Sequence, residues 1–198
     1  MHPYATDSKE RVNIVVFLAL LSVAIAYGIH LVLTIVLTNC GTQWPWWAEA
    51  PSVMGVFGAL NTLFDKRLWR HKWLHRVGVV KVPDLNGRWS AKGHSSTYNE
   101  DFSGHIHIRQ TWTHISITME TESSRSHSLT ASLLLNQPEG IILSYEYRNE
   151  PKPNALPTMH VHRGTAVLRL NEEGQLEGEY YSGRDRMNYG SLSLKRAG

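Results

Sequence analysis

The chain has 198 residues, enough for one domain or for one small domain with an appendage. Hydrophobic residues make up 42% and charged residues 19%, which excludes a disordered chain, and a mean hydropathy of −0.28 excludes a protein that is mostly membrane-embedded. The lone Cys40 excludes an internal disulfide framework and any zinc site built from several cysteines. The net charge of +3 is unevenly spread: residues 1–76 hold 7 Lys+Arg against 4 Asp+Glu, and residues 77–198 hold 13 against 13. The basic character belongs to the N-terminal part, so neither DNA nor RNA is expected as a partner of the larger part.

Val12 to Leu37 contains no Asp, Glu, Lys or Arg over 26 residues. As a helix it would be about 39 Å long, more than the ~30 Å hydrocarbon core, and it predicts a transmembrane span. The stretch is too long for the apolar region of a cleavable signal, and no small-residue cleavage site follows it. His30 within it reads as a neutral residue packed against a helix or near the interface. Trp44 to Pro51 then reads as an interfacial aromatic turn, and Pro51 suits a first helical turn. Ser52 to Phe64 is short by itself; counted from Trp44 it reaches 21 residues, so a second span is expected, with a re-entrant or interfacial segment as the other reading. Asp65 to Arg76 carries five cations and one anion, which places both ends of the hairpin in the cytoplasm and anchors it to lipid headgroups. Trp69 and Trp73, four apart, are expected on one face of a juxtamembrane helix.

From about Pro83 the helical period gives way to alternation. Trp89 and Ala91, Ile106 and Ile108, Ile115 and Ile117, Leu133 and Leu135, Leu143 and Tyr145, Ala166 and Leu168, Leu176 and Tyr180, and Leu192 and Leu194 mark about eight strands separated by turn residues. Short, regularly spaced strands without a helix predict an up-and-down antiparallel barrel or a sandwich, filled by side chains or holding one small ligand. The longer polar connections are expected at the end away from the membrane, with Tyr98, Ser123, Ser124, Arg125, Asn149, Arg184 and Arg186.

Seven histidines fall in this domain, yet His105 and His107 lie opposite the apolar face, and no metal site is expected. His160 and His162 share the inward register and either cap the core or touch a polar ligand. No GxSxG, HExxH or phosphate-binding glycine loop occurs, and no cofactor is implied, so a binding module is expected rather than an enzyme. The mouth combines stacking faces (Tyr98, Tyr147, Tyr180), hydroxyls (Thr121, Ser123, Ser124, Ser126, Ser182) and cations (Arg125, Arg184, Arg186). Bases need π-surfaces and phosphates need donors and cations, so this mixture suits a nucleotide.

Two spans, a basic juxtamembrane stretch and an eight-strand barrel occur together with Asp84-Leu85-Asn86-Gly87-Arg88-Trp89, Gly104 to Trp112, Thr121 to Ser126, Leu143 to Asn149, His162 to Ala166 and Leu176 to Tyr181. In this order the chain resembles the SMODS-associated two-transmembrane, β-strand-rich effectors of bacterial anti-phage CBASS operons, which are CD-NTase-associated. The resemblance implies two N-terminal transmembrane helices plus an all-β, eight-stranded up-and-down antiparallel β-barrel. It divides the chain into a membrane hairpin with its basic segment at 1–76 and a cytoplasmic cyclic-dinucleotide-binding barrel at 77–198. It also implies that a phage-activated CD-NTase makes the cyclic dinucleotide, that the barrel binds it and oligomerises, and that the helices disrupt the inner membrane and kill the infected cell. The ligand contacts expected on these motifs are Tyr98, Thr121, Ser123, Ser124, Arg125, Ser126, Tyr147, Asn149, His162, Tyr180, Arg184 and Arg186. The alternative is a membrane-tethered barrel that binds an apolar ligand or serves as an assembly module.

Overall fold

The structure, a computed structural model, describes all residues except 40–48, 97–98, 154, 156–159, 184–187 and 198. The chain forms two compact units: Lys9–Lys81, and Met1–Ser8 together with Val82–Gly198. The elements in order are β1 (His2–Pro3), β2 (Ala5–Thr6), α1 (Glu10–Asn39), α2 (Glu49–Lys66), a 3-10 turn (Leu68–Arg70) and α3 (Lys72–Arg76). The strands β3 (Gly87–Ser95), β4 (Glu100–Gln110), β5 (His114–Thr121), β6 (Ser124–Gln137), β7 (Gly140–Pro151), β8 (His162–Leu170), β9 (Leu176–Ser182) and β10 (Tyr189–Arg196) follow.

Each strand from β3 to β10 pairs antiparallel with the next, and β10 pairs with β3, so eight strands close into an up-and-down barrel. The expected alternation places the core. Leu133 pairs with Leu143 and Leu143 with Leu168, and all three are fully buried. Trp89, Ile106, Ile108 and Ile117 fill the same end from β3, β4 and β5. Burying such side chains stabilises the fold by about 25 cal/mol for each Å² of apolar surface taken out of water, the main force closing the barrel. Polar groups seal this end. The Trp89 indole N–H donates to Leu85 O (3.0 Å), and the buried Gln110 Oε1 accepts from Leu85 N (2.9 Å). Asn86 Oδ1 accepts from Gln110 N, and Asn86 Nδ2 donates to Gln110 O.

One seam is incomplete. β5 and β6 pair directly only at Thr118–His127, Met119–Ser126 and Glu120–Arg125. Further along, the first residues of the chain occupy the gap. β1 pairs with β5 (His2–Ile115, Pro3–His114), and β2 runs parallel to β6 (Ala5–Ser132, Thr6–Leu133). His2 Nε2 lies 2.8 Å from Ser128 Oγ, and the buried Tyr4 donates its hydroxyl to Trp112 O at 2.7 Å. The Asp7 carboxylate accepts from the N–H groups of Leu135 (2.6 Å) and Asn136 (3.1 Å). The sequence reading grouped residues 1–76; the structure instead places Met1–Ser8 with the barrel. The physical reason is the open ladder between β5 and β6, whose backbone groups need partners.

In the other unit, α1 is the one helix among the described residues long and apolar enough to cross a bilayer, over Glu10–Val36. α2 has 18 residues with Glu49, Asp65 and Lys66 at its ends, so the two expected transmembrane helices reduce to one clear apolar helix. The expected aromatic turn and Cys40 lie largely outside the described residues. His30 Nε2 lies 3.5 Å from Thr34 Oγ1, one turn on. Glu10 Oε2 accepts from Lys81 N at 2.7 Å, joining the two ends of this unit. The basic run is not one helix: it breaks at His71 (φ −65°, ψ 123°), leaving Trp69 fully buried and Trp73 61% exposed. The face expected to carry both tryptophans does not form.

The strap of residues 1–8 generates a stability prediction. Tyr4→Ala in the full chain empties a buried aromatic site, and thermal unfolding should report a loss of about 3 kcal/mol. A second expectation concerns acid. The Leu135 N–H first, and the Asn136 N–H after it, hold the Asp7 carboxyl below its usual value of 3.8. A depressed folded pKa stabilises fully above the unfolded value and loses that contribution as pH falls through the folded one. Asp7→Asn should therefore flatten the acid side of the stability profile below about pH 4.

Candidate functional site

The end of the barrel opposite the apolar core is hollow. A cavity of about 620 Å³ opens there, within the range of ~300–1,000 Å³ usual for small-ligand sites. Its floor is Met119, Ala166 and Leu192; its walls are Phe102, Tyr145, Tyr147 and Tyr180 with Ser95, Thr121, Ser124, Ser126, Asn149, His162, Ser182 and Asn188. Ser123 and the carboxylates Glu100, Asp101 and Glu122 also line it.

A β-bulge explains why serines rather than leucines face inward here. Ser128 pairs with Tyr147 but Thr130 with Glu146, so Leu129 is one residue extra on β6. Before the bulge Ser124, Ser126 and Ser128 are buried; after it Leu133 is. One strand thus supplies polar walls at the mouth and apolar filling at the other end. The same bulge decides Arg125. Between inward Ser124 and Ser126 it points out, is exposed, and sits opposite Glu120 on the outer wall. Glu120 also meets Lys152 at 3.0 Å, and that ammonium first, with Arg125 and His105 adding, holds its carboxyl below the usual range.

The walls are fixed by hydrogen bonds. Thr121 Oγ1 accepts from Ser124 N (3.1 Å) and lies 3.0 Å from Ser124 Oγ, to which Asn149 Nδ2 donates (3.2 Å). Ser126, Asn149 and His162 are register neighbours across β6, β7 and β8. His162 donates its Nδ1–H to His160 O at 2.9 Å, which fixes the ring tautomer. Opposite, Asn188 Oδ1 accepts from the Ser95 and Ser96 hydroxyls, and its Nδ2 donates to Tyr180 Oη at 3.3 Å. Phe102 meets Tyr180 edge to face at 5.9 Å. Tyr145 and Tyr147 lie 6.2 Å apart, and burial first, then Tyr147, pushes the Tyr145 hydroxyl well above the ordinary tyrosine range. Tyr145 therefore stays a neutral donor.

Of the residues expected from sequence, Thr121, Ser123, Ser124, Ser126, Tyr147, Asn149, His162 and Tyr180 converge on this cavity. Arg125 does not, because of the bulge; Tyr98, Arg184 and Arg186 lie outside the described residues. His160, expected inward beside His162, precedes β8 and is exposed. Ser182, expected among the hydroxyls of the mouth, also lines the cavity, whereas sequence reasoning missed Ser95, Phe102, Met119, Tyr145 and Asn188 as site residues. For two of them the signal was the alternation itself: Met119 and Thr121, and Tyr145 and Tyr147, are each two apart. Among the described lining residues there is no Lys or Arg. The surface offered to a ligand is aromatic faces plus neutral donors and acceptors, suited to bases and sugars, with hydroxyls for phosphate oxygens and His162 Nε2 as an acceptor.

Comparisons with known proteins bear on both units. A family model described as "Cap15, cyclic dinucleotide receptor domain" matches residues 80–196, and one described as "Cap15, TM helices" matches residues 12–70. Neither describes an enzyme. The chain is 35% identical over 147 residues to "CD-NTase-associated protein 15" of Yersinia aleksiciae, covering 73% of this chain and 69% of that protein. It is 25% identical over 169 residues to "CD-NTase-associated protein 15" of Staphylococcus schleiferi, covering 83% and 88%.

Gly164 tests the cavity wall. A Cβ there would collide with the Tyr147 ring and with Tyr181 O. Gly164→Ala is expected to cost about 1–3 kcal/mol in thermal or denaturant unfolding, and adding Tyr147→Leu should recover part of that loss.

Proposed function

This chain belongs to the Cap15 family, and on that premise we propose that it is a membrane effector of CBASS antiphage defence whose barrel cavity receives a cyclic dinucleotide made by a CD-NTase. Binding drives self-association, the hairpin then disrupts the inner membrane, and the infected cell dies before phage release. The observation that carries this reading is the convergence of Tyr147, Tyr180, Ser124, Ser126, Asn149 and His162 on one cavity inside the matched receptor region. A carrier of apolar ligands needs an apolar interior up to its rim, and this rim is hydroxyl, amide and carboxylate.

Topology supports a two-span anchor. Residues Met1–Ser8 and Val82–Gly198 fold as one unit, so the chain before α1 and the chain after the hairpin lie on the same side of any bilayer that α1 crosses. The number of crossings is then even, and α2 supplies the return. Lys9 and Arg11 on one side, and Lys66, Arg67, Arg70, Lys72 and Arg76 on the other, favour the cytoplasm for both ends.

The ligand switches the assembly only by binding one state better than the other. The test uses the full chain in lipid vesicles loaded with a self-quenching dye, exposed to a panel of cyclic dinucleotides. At least one should raise the unfolding temperature and release dye. Tyr147→Ala and Asn149→Ala are each expected to weaken that response about tenfold, the loss of roughly 1.4 kcal/mol from one stacking or hydrogen-bonding contact. Arg125→Ala, on the outer wall, should leave binding unchanged. No response to any cyclic dinucleotide, or equal leakage with and without them, would sink the reading.

A further inference from the structure

At one level of the barrel the inward side chains alternate between large and small. Ala131 on β6, Tyr145 on β7, Ala166 on β8, Tyr180 on β9 and Gly190 on β10 are successive register partners. Neighbouring strands lie ~4.8 Å apart, so the backbones bearing the two tyrosines stand ~9.6 Å apart with only the Ala166 methyl between them. Tyr145, Ala166 and Tyr180 all line the cavity. They form a slot between two aromatic side chains, floored by a methyl group. Two residues further along β7 and β8 the barrel is filled by Leu143 and Leu168, which are fully buried, so on this wall the slot is the bottom of the cavity.

The surroundings treat the two tyrosines differently. Tyr180 is tied to the wall: its hydroxyl donates to His94 O (3.3 Å) and accepts from Asn188 Nδ2 (3.3 Å), and its ring meets Phe102 edge to face. Tyr145 is only 6% exposed, yet its hydroxyl has no hydrogen-bond partner among the described residues. Its register partners Ala131 and Ala166 carry no polar side-chain atom to meet it. A buried hydroxyl without a partner is disfavoured and rare in folded proteins. This one lines a cavity, stays protonated, and so can donate one hydrogen bond and accept another.

We propose that Tyr145 reads a base of the bound dinucleotide: one base enters first and sets its edge against the Tyr145 hydroxyl in this slot, while the phosphates stay nearer the mouth. The proposal rests on the dinucleotide reading above and states which part of that molecule goes deepest. Around the slot the floor is Met119, Ala166 and Leu192, and no Lys or Arg is among the described lining residues. A phosphate buried there would lose its hydration without gaining a cation, whereas a neutral base edge needs only a hydrogen-bonding partner such as this hydroxyl. Hydroxyls able to meet phosphate oxygens, those of Ser123, Ser126 and Ser182, lie closer to the mouth.

Tyr145→Phe removes the hydroxyl and keeps the ring. In the full chain in lipid vesicles it should leave the unfolding temperature of the ligand-free protein unchanged, because no protein hydrogen bond is lost. Equilibrium dialysis with 3′,3′-linked cyclic dinucleotides should show the tightest of them bound about tenfold more weakly. Tyr180→Phe is the contrast: it breaks two wall hydrogen bonds and should lower the unfolding temperature before any dinucleotide is added. Two analogues of the tightest dinucleotide locate the contact. With one base replaced by a nonpolar isostere of the same shape, Tyr145→Phe should cost nothing further, and with 2′-deoxyribose it should still cost about tenfold. Undiminished binding by Tyr145→Phe, a lower unfolding temperature in its ligand-free form, or a tenfold cost that persists whichever base is replaced overturns the assignment. A cost that vanishes with 2′-deoxyribose instead puts the hydroxyl on the sugar and overturns it as well. Binding of no cyclic dinucleotide by the unaltered chain removes the dinucleotide reading, and this assignment with it.

Discussion

The gap between β5 and β6 is the constraint from which the rest of the molecule follows. A barrel of eight strands has no free edge only if every neighbouring pair completes its ladder, and here one pair completes only three positions. The strap of Met1–Ser8 supplies the missing partners with backbone pairing, the buried Tyr4 ring and the Asp7 carboxylate. It also makes the barrel discontinuous in sequence, since the entire hairpin is inserted between Ser8 and Val82. The anchoring segment is thereby tethered to the barrel through two chain connections rather than one.

The cavity depends on a second local irregularity. A barrel this small with uninterrupted alternation would pack apolar side chains along its full length. The extra residue at Leu129 turns Ser124, Ser126 and Ser128 inward, and Gly164 lets the hydroxyl end of the Tyr147 ring lie close against β8. Both features trade core packing for a polar hollow, a cost accepted where a ligand is to be held. Apolar filling at one end keeps the cylinder rigid while the other end remains available.

Much of this was legible in the sequence, for a simple reason. Alternation with period two reports which face of a strand is buried, so the eight strands, Trp89, Ile106, Leu133, Leu143 and Leu168 as core, and Tyr147, Asn149, His162 and Tyr180 as lining, follow from pattern alone. What was hidden is what breaks the pattern. Serines on one side of a bulge and leucines on the other have no periodic signature, and Arg125, expected at the mouth as part of a polar connection, lies on β6 and points outward. The strap is two strands of two residues each, below the length at which any period can be read, and its first strand contains Pro3. His71 interrupts the basic helix through its extended backbone, and nothing in Trp69 to Trp73 announces that break.

Sealing the seam with the beginning of the chain sets an order of events during synthesis. His2 is translated long before the hydroxyl it meets, which is 126 positions further on. By the time β5 and β6 leave the ribosome, the whole of α1 has long been synthesised. The seam stays open until the N-terminal strap pairs with β5 and β6. A bulky fusion placed ahead of Met1 would compete for that seam, whereas one appended after the last strand would not.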